Sequence, residues 1–384
     1  MTTRLVLERR GAGLLAARLE DDRLIEVHAE SDRRERIVDR LLLGRVVRVE
    51  PKLQAAFLDI GEGPSGFLNA KDARFLPGVG PSTPIERAVR EGERLIVQGL
   101  RDATSEKGPR VTADLRLIGL YLVLRPRSET VEASARLGKR AQALLLERGC
   151  RLFPNGGVLL RRAAIGADDA ALVQEATELG ARWAELEARA RHARPGPLDI
   201  AGDDPLSRLL RTVLGNPVDA IAATDPDLVA GARHFAVSHG LAALEVSALR
   251  GPAPAFESTG VAEQIATALS REVPLDGGGR LLIEPTAALT AIDVDGGAER
   301  ALDVNLEAAA EIARQLRLRN LGGIIVVDFI GMAQRRDRQR VVDALRRAVA
   351  QDPFPVQVHD TSPLGLVEIG RPRRGASLAA LLGS

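Results

Sequence analysis

Leu289-Thr290-Ala291-Ile292-Asp293-Val294-Asp295 and Ile324-Ile325-Val326-Val327-Asp328-Phe329 are two apolar, β-branched runs that close on carboxylates, with a helix-forming stretch, Leu306 to Arg319, between them. Asn305 stands where it can cap that helix. Strand, helix and strand in this order make a βαβ crossover with two parallel strands, which sets both strand ends on one edge of a sheet. Open α/β sheets bind ligands outside those ends, so Asp293, Asp295 and Asp328 are expected to converge where a divalent cation would sit. The competing explanation is turn chemistry, because aspartate favours loops and caps. Two features weigh against it: each acid closes a strongly apolar strand, and carboxylates brought close repel unless a cation is present.

At 384 residues the chain exceeds the usual size of a single hydrophobic core, so two or more domains are expected. A hydrophobic content of 45% and a charged content of 27% argue against both wholesale disorder and a membrane protein. No apolar run approaches a bilayer span, and Met1 to Arg10 lacks the apolar centre of a secretory signal; a cytoplasmic protein is expected. Cys150 is the only cysteine, which rules out an intramolecular disulfide and a multi-cysteine zinc site within one chain. The net charge of +1 conceals local basic clusters: Ala333 to Arg347 carries six arginines, and Arg371, Arg373 and Arg374 follow. Such faces beside an acidic metal site suit a polyanionic substrate, although each cluster alone reads more readily as a solvated helix face.

Working outward, residues 1 to 30 alternate like paired strands, and short strand signals follow at Leu43 to Val49, Ala55 to Ile60, Gly66 to Leu68 and Arg94 to Gly99. A small closed barrel accommodates them most economically. Gly61-Glu62-Gly63-Pro64-Ser65-Gly66 formally matches a dinucleotide-binding fingerprint, but Gly66 opens a strand where that fingerprint needs a helix N-terminus. Phe57 and Phe67 flank this loop, either as stacking platforms for unpaired bases or as core. Lys107 could add a phosphate contact. Beyond the barrel lie a strand at Tyr121 to Leu124, a helix near Lys139 to Arg148, a strand at Gly157 to Leu160 and a long helix from Asp168 to Arg191. Arg161 and Arg162 emerge where the second of those strands ends, a geometry suited to bidentate phosphate binding. Pro195-Gly196-Pro197 is the clearest linker. His359, also at a strand end, reads as structural.

The run Asn305-Leu306-Glu307-Ala308-Ala309-Ala310-Glu311-Ile312-Ala313-Arg314-Gln315-Leu316-Arg317-Leu318-Arg319, continuing through Asn320-Leu321-Gly322-Gly323 to Ile330, closely resembles the ribonuclease E/G family of bacterial endoribonucleases. The likeness extends back through Ala287 to Asp295, forward to Leu364-Gly365-Leu366-Val367-Glu368-Ile369, and into the barrel at Gly44-Arg45-Val46 and Gln54 to Leu68. It implies a multidomain α/β (α+β) fold: an RNase H-like part at 1–38 and 198–254, an S1 RNA-binding domain of OB fold at 39–119, a 5′-sensor-like region at 120–197, and a DNase-I-like catalytic part at 255–384. It also implies a metal-dependent endoribonuclease that cleaves single-stranded RNA in processing and decay, leaving 5′-phosphate and 3′-hydroxyl ends. Asp293 and Asp328 match the residues that hold the magnesium, with manganese as a substitute. Phe57, Phe67 and Lys107 match RNA-contacting positions, and Arg161 matches the arginine that receives a 5′-monophosphate.

Four departures from the family pattern stand out. Asp295 occupies a position that is usually asparagine, and Arg162 replaces a threonine beside the sensor arginine, which predicts weak discrimination between 5′-monophosphate and 5′-triphosphate RNA. The stretch between Asp295 and Asn305 is shortened, and Gly331 stands where an aspartate is common. The cysteine pair that links protomers through zinc is absent, so a homodimer would form without zinc bridging. A non-catalytic S1-domain RNA-binding protein of the same descent is the competing reading, and a metal-dependent DNase or phosphatase fits the acids but leaves the barrel unexplained.

Overall fold

The computed structural model describes residues 2–31, 37–61, 63–103, 107–135, 137–198, 204–296, 301–373 and 375–383. Glu62 of the glycine-rich loop, Arg374 of the basic tail and residues 297–300 of the shortened stretch lie outside them. The chain divides into two compact units, one of residues 1–10, 15–29 and 218–384, the other of residues 11–14 and 30–217. The class is mixed α/β, with several sheets and a five-stranded barrel.

Three strands open the chain as expected: β1 (Thr3–Arg10), β2 (Gly13–Glu20) and β3 (Arg23–Ser31). The barrel follows, with β4 (Leu41–Glu50), β5 (Ala55–Asp59), β6 (Gly66–Asn69), β7 (Arg94–Arg101) and β8 (Arg110–Thr112). It closes because β4 pairs with both β5 and β7, while β8 joins β6 to β7. Alternation turns Val46, Ala56, Leu58, Leu68, Val97 and Val111 into its core. A closed, antiparallel-rich barrel of five strands matches the oligonucleotide-binding type expected from the sequence.

Beyond the barrel, β9 (Leu117–Ile118), β10 (Leu122–Leu124), β11 (Val131–Ala133) and β12 (Val158–Leu160) form a small sheet in the order β11-β12-β10-β9. The helix Asp169–His192 is anchored to it by Glu175, whose buried carboxylate accepts hydrogen bonds from the backbone N–H groups of Leu120, Tyr121 and Leu122. Burial raises the Glu175 carboxyl above its ordinary range despite these three donors. Pro195-Gly196-Pro197 corrects the linker expectation: Gly196–Pro197 forms β13, paired with Leu42 and Leu43 of β4. Proline, lacking an N–H, is tolerated at such a sheet edge, so a proline-rich run here marks a border strand.

After the helix Pro205–Val213, β14 (Ala220–Ala223) and β15 (Glu245–Ala248) run parallel to β1. They complete a sheet ordered β15-β14-β1-β2-β3. The helix Pro226–Ser238 joins β14 to β15.

The final sheet carries the opening feature. Its strands are β16 (Glu272–Pro274), β17 (Arg280–Pro285), β18 (Leu289–Asp295), β19 (Gly323–Asp328), β20 (Gln357–Val358) and β21 (Val367–Arg371), in the order β16-β17-β18-β19-β21-β20. The crossover is as expected, with β18 parallel to β19, but the other pairings are antiparallel, so the sheet is mixed. Ile292, Val294, Ile325 and Val327 pack against Val304, Ile312 and Leu316 of the helix Ala301–Leu318, and against Val341 and Leu345 of the helix Arg335–Val349. Asn305 is therefore no cap. The helix begins four residues earlier, at Ala301, with Val304 already packed in the core beneath the sheet, and Asn305 lies one turn inside it.

Candidate active site and nucleic-acid face

The side chains of β18 alternate between two environments, with Thr290, Ile292 and Val294 buried and Asp293 and Asp295 exposed. Since Ile292 and Val294 face the helices, Asp293 and Asp295 point to the opposite, open side of the sheet. β19 behaves likewise, with Ile325 and Val327 inward and Asp328 exposed. The parallel register pairs Asp293 directly with Asp328. Neighbouring strands lie about 4.8 Å apart, so the two carboxylates start side by side on one face. Among the described residues, no hydrogen bond or ion pair engages either carboxylate. Two unpartnered carboxylates so placed suit a hard divalent cation, which takes oxygen ligands and keeps waters of its own.

Asp295 is held differently. Register pairs it with Arg280 of β17, and one of its oxygens accepts from the Arg280 Nη2 at 2.6 Å and from the Nε at 2.9 Å. Arg280 also reaches Glu272 at 3.2 Å. Hydrogen bonding to Asp295, then to Glu272, raises the guanidinium above its ordinary value. Among the described residues no group of three or more His, Cys, Asp or Glu side chains is placed to hold a metal. His359 is exposed, and its backbone N–H donates to the Glu368 carbonyl at 3.0 Å.

Asn305 is a residue that the sequence pattern misassigned. It is fully buried, and its carboxamide both donates to the Ile330 carbonyl at 2.8 Å and accepts from the Ile330 N–H at 3.0 Å. This pair of hydrogen bonds pins the chain two residues beyond Asp328. The signal was a polar residue among the apolar positions of the helix, whose satisfaction had to be found elsewhere in the fold.

On the barrel, Phe57 and Phe67 are register partners, with ring centroids 5.8 Å apart and planes at 73°. Both are half-buried and lie outside the barrel core. The same rung continues to Arg48 on one side and to Arg110 on the other. Register partners project the same way, so two aromatic rings sit between two guanidiniums on one face. Arg48 pairs with Glu50, and Arg110 with Asp72 at 2.8 Å. Lys107 is exposed, just before β8.

Arg161 is engaged by main chain. Its Nη1 donates to the carbonyls of Gly119 and Arg211, and its Nη2 donates to the carbonyl of Thr212 at 2.7 Å. Arg211 and Thr212 lie in the last turn of the helix Pro205–Val213, where free carbonyls attract a cation. A Cβ on Gly215 would stand 1.7 Å from the guanidinium carbon, so only glycine leaves this slot open. Arg162 is exposed on the following turn. The two arginines are thus not brought together as one phosphate fork.

The chain that carries this carboxylate pair and aromatic-faced barrel matches known proteins in sequence. Residues 116–374 fit the model of the Ribonuclease E/G family, and the chain belongs to that family. It is 33% identical over 413 residues to Ribonuclease G of Escherichia coli K12, an alignment that covers 100% of this chain and 82% of that protein. Ribonuclease G of Haemophilus influenzae is 34% identical, with 95% of this chain and 78% of the relative covered. Ribonuclease E of Escherichia coli K12 is also 34% identical, over 95% of this chain but 36% of that longer protein.

Proposed function

We propose that this protein is a magnesium-dependent endoribonuclease of single-stranded RNA, active in RNA processing and decay, with manganese able to replace magnesium. The observation that carries the proposal is the register pairing of Asp293 with Asp328, both exposed and unpartnered, on the open face of the sheet. The names of the full-length relatives support the same reaction class. A divalent cation held by Asp293 and Asp328 would supply a Lewis acid for the phosphodiester and lower the pKa of a bound water, so that hydrolysis leaves a 5′-phosphate and a 3′-hydroxyl. Asp293 and Asp328 bring the charge that holds the cation, and the Asn305 clamp on Ile330 keeps the end of β19 in place. Phe57, Phe67 and Lys107, with Arg48 and Arg110, offer stacking and phosphate contacts to an unpaired strand. In this reading the five-stranded sheet and the mixed sheet are the RNase H-like and DNase-I-like parts.

The test is incubation of the purified chain with end-labelled unstructured RNA, in magnesium and in EDTA. Metal-dependent cleavage is expected, and Asp328→Asn should abolish it while RNA binding persists. Retarded RNA without cuts in magnesium would instead identify a non-catalytic RNA-binding member of the family. Wild-type rates in the Asp328→Asn protein would remove the assignment of the site.

A further inference from the structure

Asp293 and Asp295 are two residues apart on one strand face, which places their Cα atoms roughly 6.7 Å apart. Asp328 flanks Asp293 from the neighbouring strand. With all three free, Asp295 would add a third carboxylate to the face that carries Asp293 and Asp328. The hairpin of β17 and β18 prevents this by setting Arg280 directly opposite Asp295, where two of its nitrogens converge on a single carboxylate oxygen. Glu272, at 3.2 Å, steadies the guanidinium from its other side. Asp328 has no such arginine, and neither has Asp293, whose opposite number on β17 is Leu282.

We propose that Arg280 is a positioning residue of the metal site: it takes up the Asp295 carboxylate, so that a cation at Asp293 and Asp328 is held by two carboxylates and not by three. This rests on the metal-site reading above. The physical consequence concerns affinity and selectivity. Each added carboxylate raises the charge of an oxygen-ligand site and with it the affinity, and a richer carboxylate set favours larger cations that accept more ligands. By neutralising Asp295, Arg280 keeps the site weak enough for magnesium with its retained waters. Asp295 then acts through its ion pair and does not contact the metal.

Mn2+ binding to the full-length protein, counted as loss of the free-ion electron paramagnetic resonance signal, tests this without reference to turnover. Four proteins are compared: wild type, Arg280→Ser, Asp295→Asn and the double variant. Arg280→Ser should bind Mn2+ about tenfold more tightly, because it releases a third carboxylate. Asp295→Asn should bind like wild type, and adding it to Arg280→Ser should restore wild-type affinity. That rescue separates positioning from a mere loss of strand stability. Unchanged Mn2+ affinity in Arg280→Ser would overturn the proposal, as would weakened affinity in Asp295→Asn, which would make Asp295 a ligand already. Should Arg280→Ser fail to fold, Asp295→Asn alone still decides. A wild-type protein that takes up no Mn2+ would overturn the metal-site reading itself, and this proposal with it.

Discussion

Asp293 and Asp328 are legible from sequence because an apolar strand that ends on a carboxylate declares both its direction and the place of its acid. Arg280 is not legible in the same way. Its meaning depends on the register of β17 against β18, and the turn between them, Thr286 to Leu289, contains no glycine or asparagine to advertise a hairpin; Thr286 closes it by accepting from the Leu289 N–H and donating to the Leu289 carbonyl. Arg161 illustrates how local sequence hides a side chain's surroundings. Placed after a strand beside a second arginine it resembles a phosphate fork, whereas its guanidinium is enclosed by three carbonyls. Arg161→Ala is therefore expected to destabilise the protein by about 2–3 kcal/mol, the cost of charged hydrogen bonds lost to buried acceptors. A thermal melt would show it. In the same experiment series, the ratio of cleavage rates on 5′-monophosphate and 5′-triphosphate RNA should be small in wild type and unchanged in the variant. A strong wild-type preference for the monophosphate that disappears on substitution would restore Arg161 as a phosphate ligand.

At the scale of elements, the helix Ala301–Leu318 shows why boundaries are harder to read than periodicity. Asn305 looks like a cap because it precedes a strong helical pattern, but the helix runs through it from Ala301, with Val304 packed in the core beneath the sheet. Its carboxamide then serves the next element, clamping the chain that leaves β19. Asn305→Ala should cost about 2–3 kcal/mol from two lost hydrogen bonds to the N–H and carbonyl of the half-buried Ile330. If the clamp also holds Asp328 in place, the magnesium concentration for half-maximal cleavage should rise, with RNA binding in EDTA unaltered; loss of stability without that rise would reduce Asn305 to packing. A second tie, invisible in sequence, joins Arg371 of β21 to Asp352, both almost fully buried, at 2.9 Å. Arg371 also donates to the Asn320 side chain and the Leu321 carbonyl, and its guanidinium lies 4.9 Å from the centre of the Phe354 ring. Asp352→Ala strands this guanidinium in the interior, so a destabilisation of about 3–5 kcal/mol is expected in denaturant unfolding. Near-neutral behaviour would mean that the carbonyls and the ring suffice.

Across the whole molecule, composition says nothing of how distant strands are joined. Periodicity reveals the barrel strands one by one, yet closure through β4 and β7 and the capture of Gly196–Pro197 as β13 depend on contacts far apart in sequence. The near-zero net charge is similarly uninformative, since the basic residues that matter are local. The barrel face belongs to one compact unit and the carboxylate pair to the other, which predicts separable effects on substrate capture and on chemistry. Phe57 and Phe67 are exposed enough to stack and lie between Arg48 and Arg110. Loss of one stacking ring typically costs about 1–3 kcal/mol, roughly five- to 150-fold in affinity. Phe57→Ala and Phe67→Ala should therefore each raise KM for unstructured RNA within that range while leaving kcat within about twofold, and Arg110→Ala should weaken binding modestly and reduce its salt dependence. The complementary protein, Asp328→Asn, should lose kcat with RNA affinity kept. Steady-state cleavage of a labelled oligonucleotide, combined with filter binding across a salt series, measures both. Should the aromatic variants lose kcat with KM unchanged, the rings would act in the chemical step, and the division between a barrel that captures RNA and a sheet that cuts it would fail.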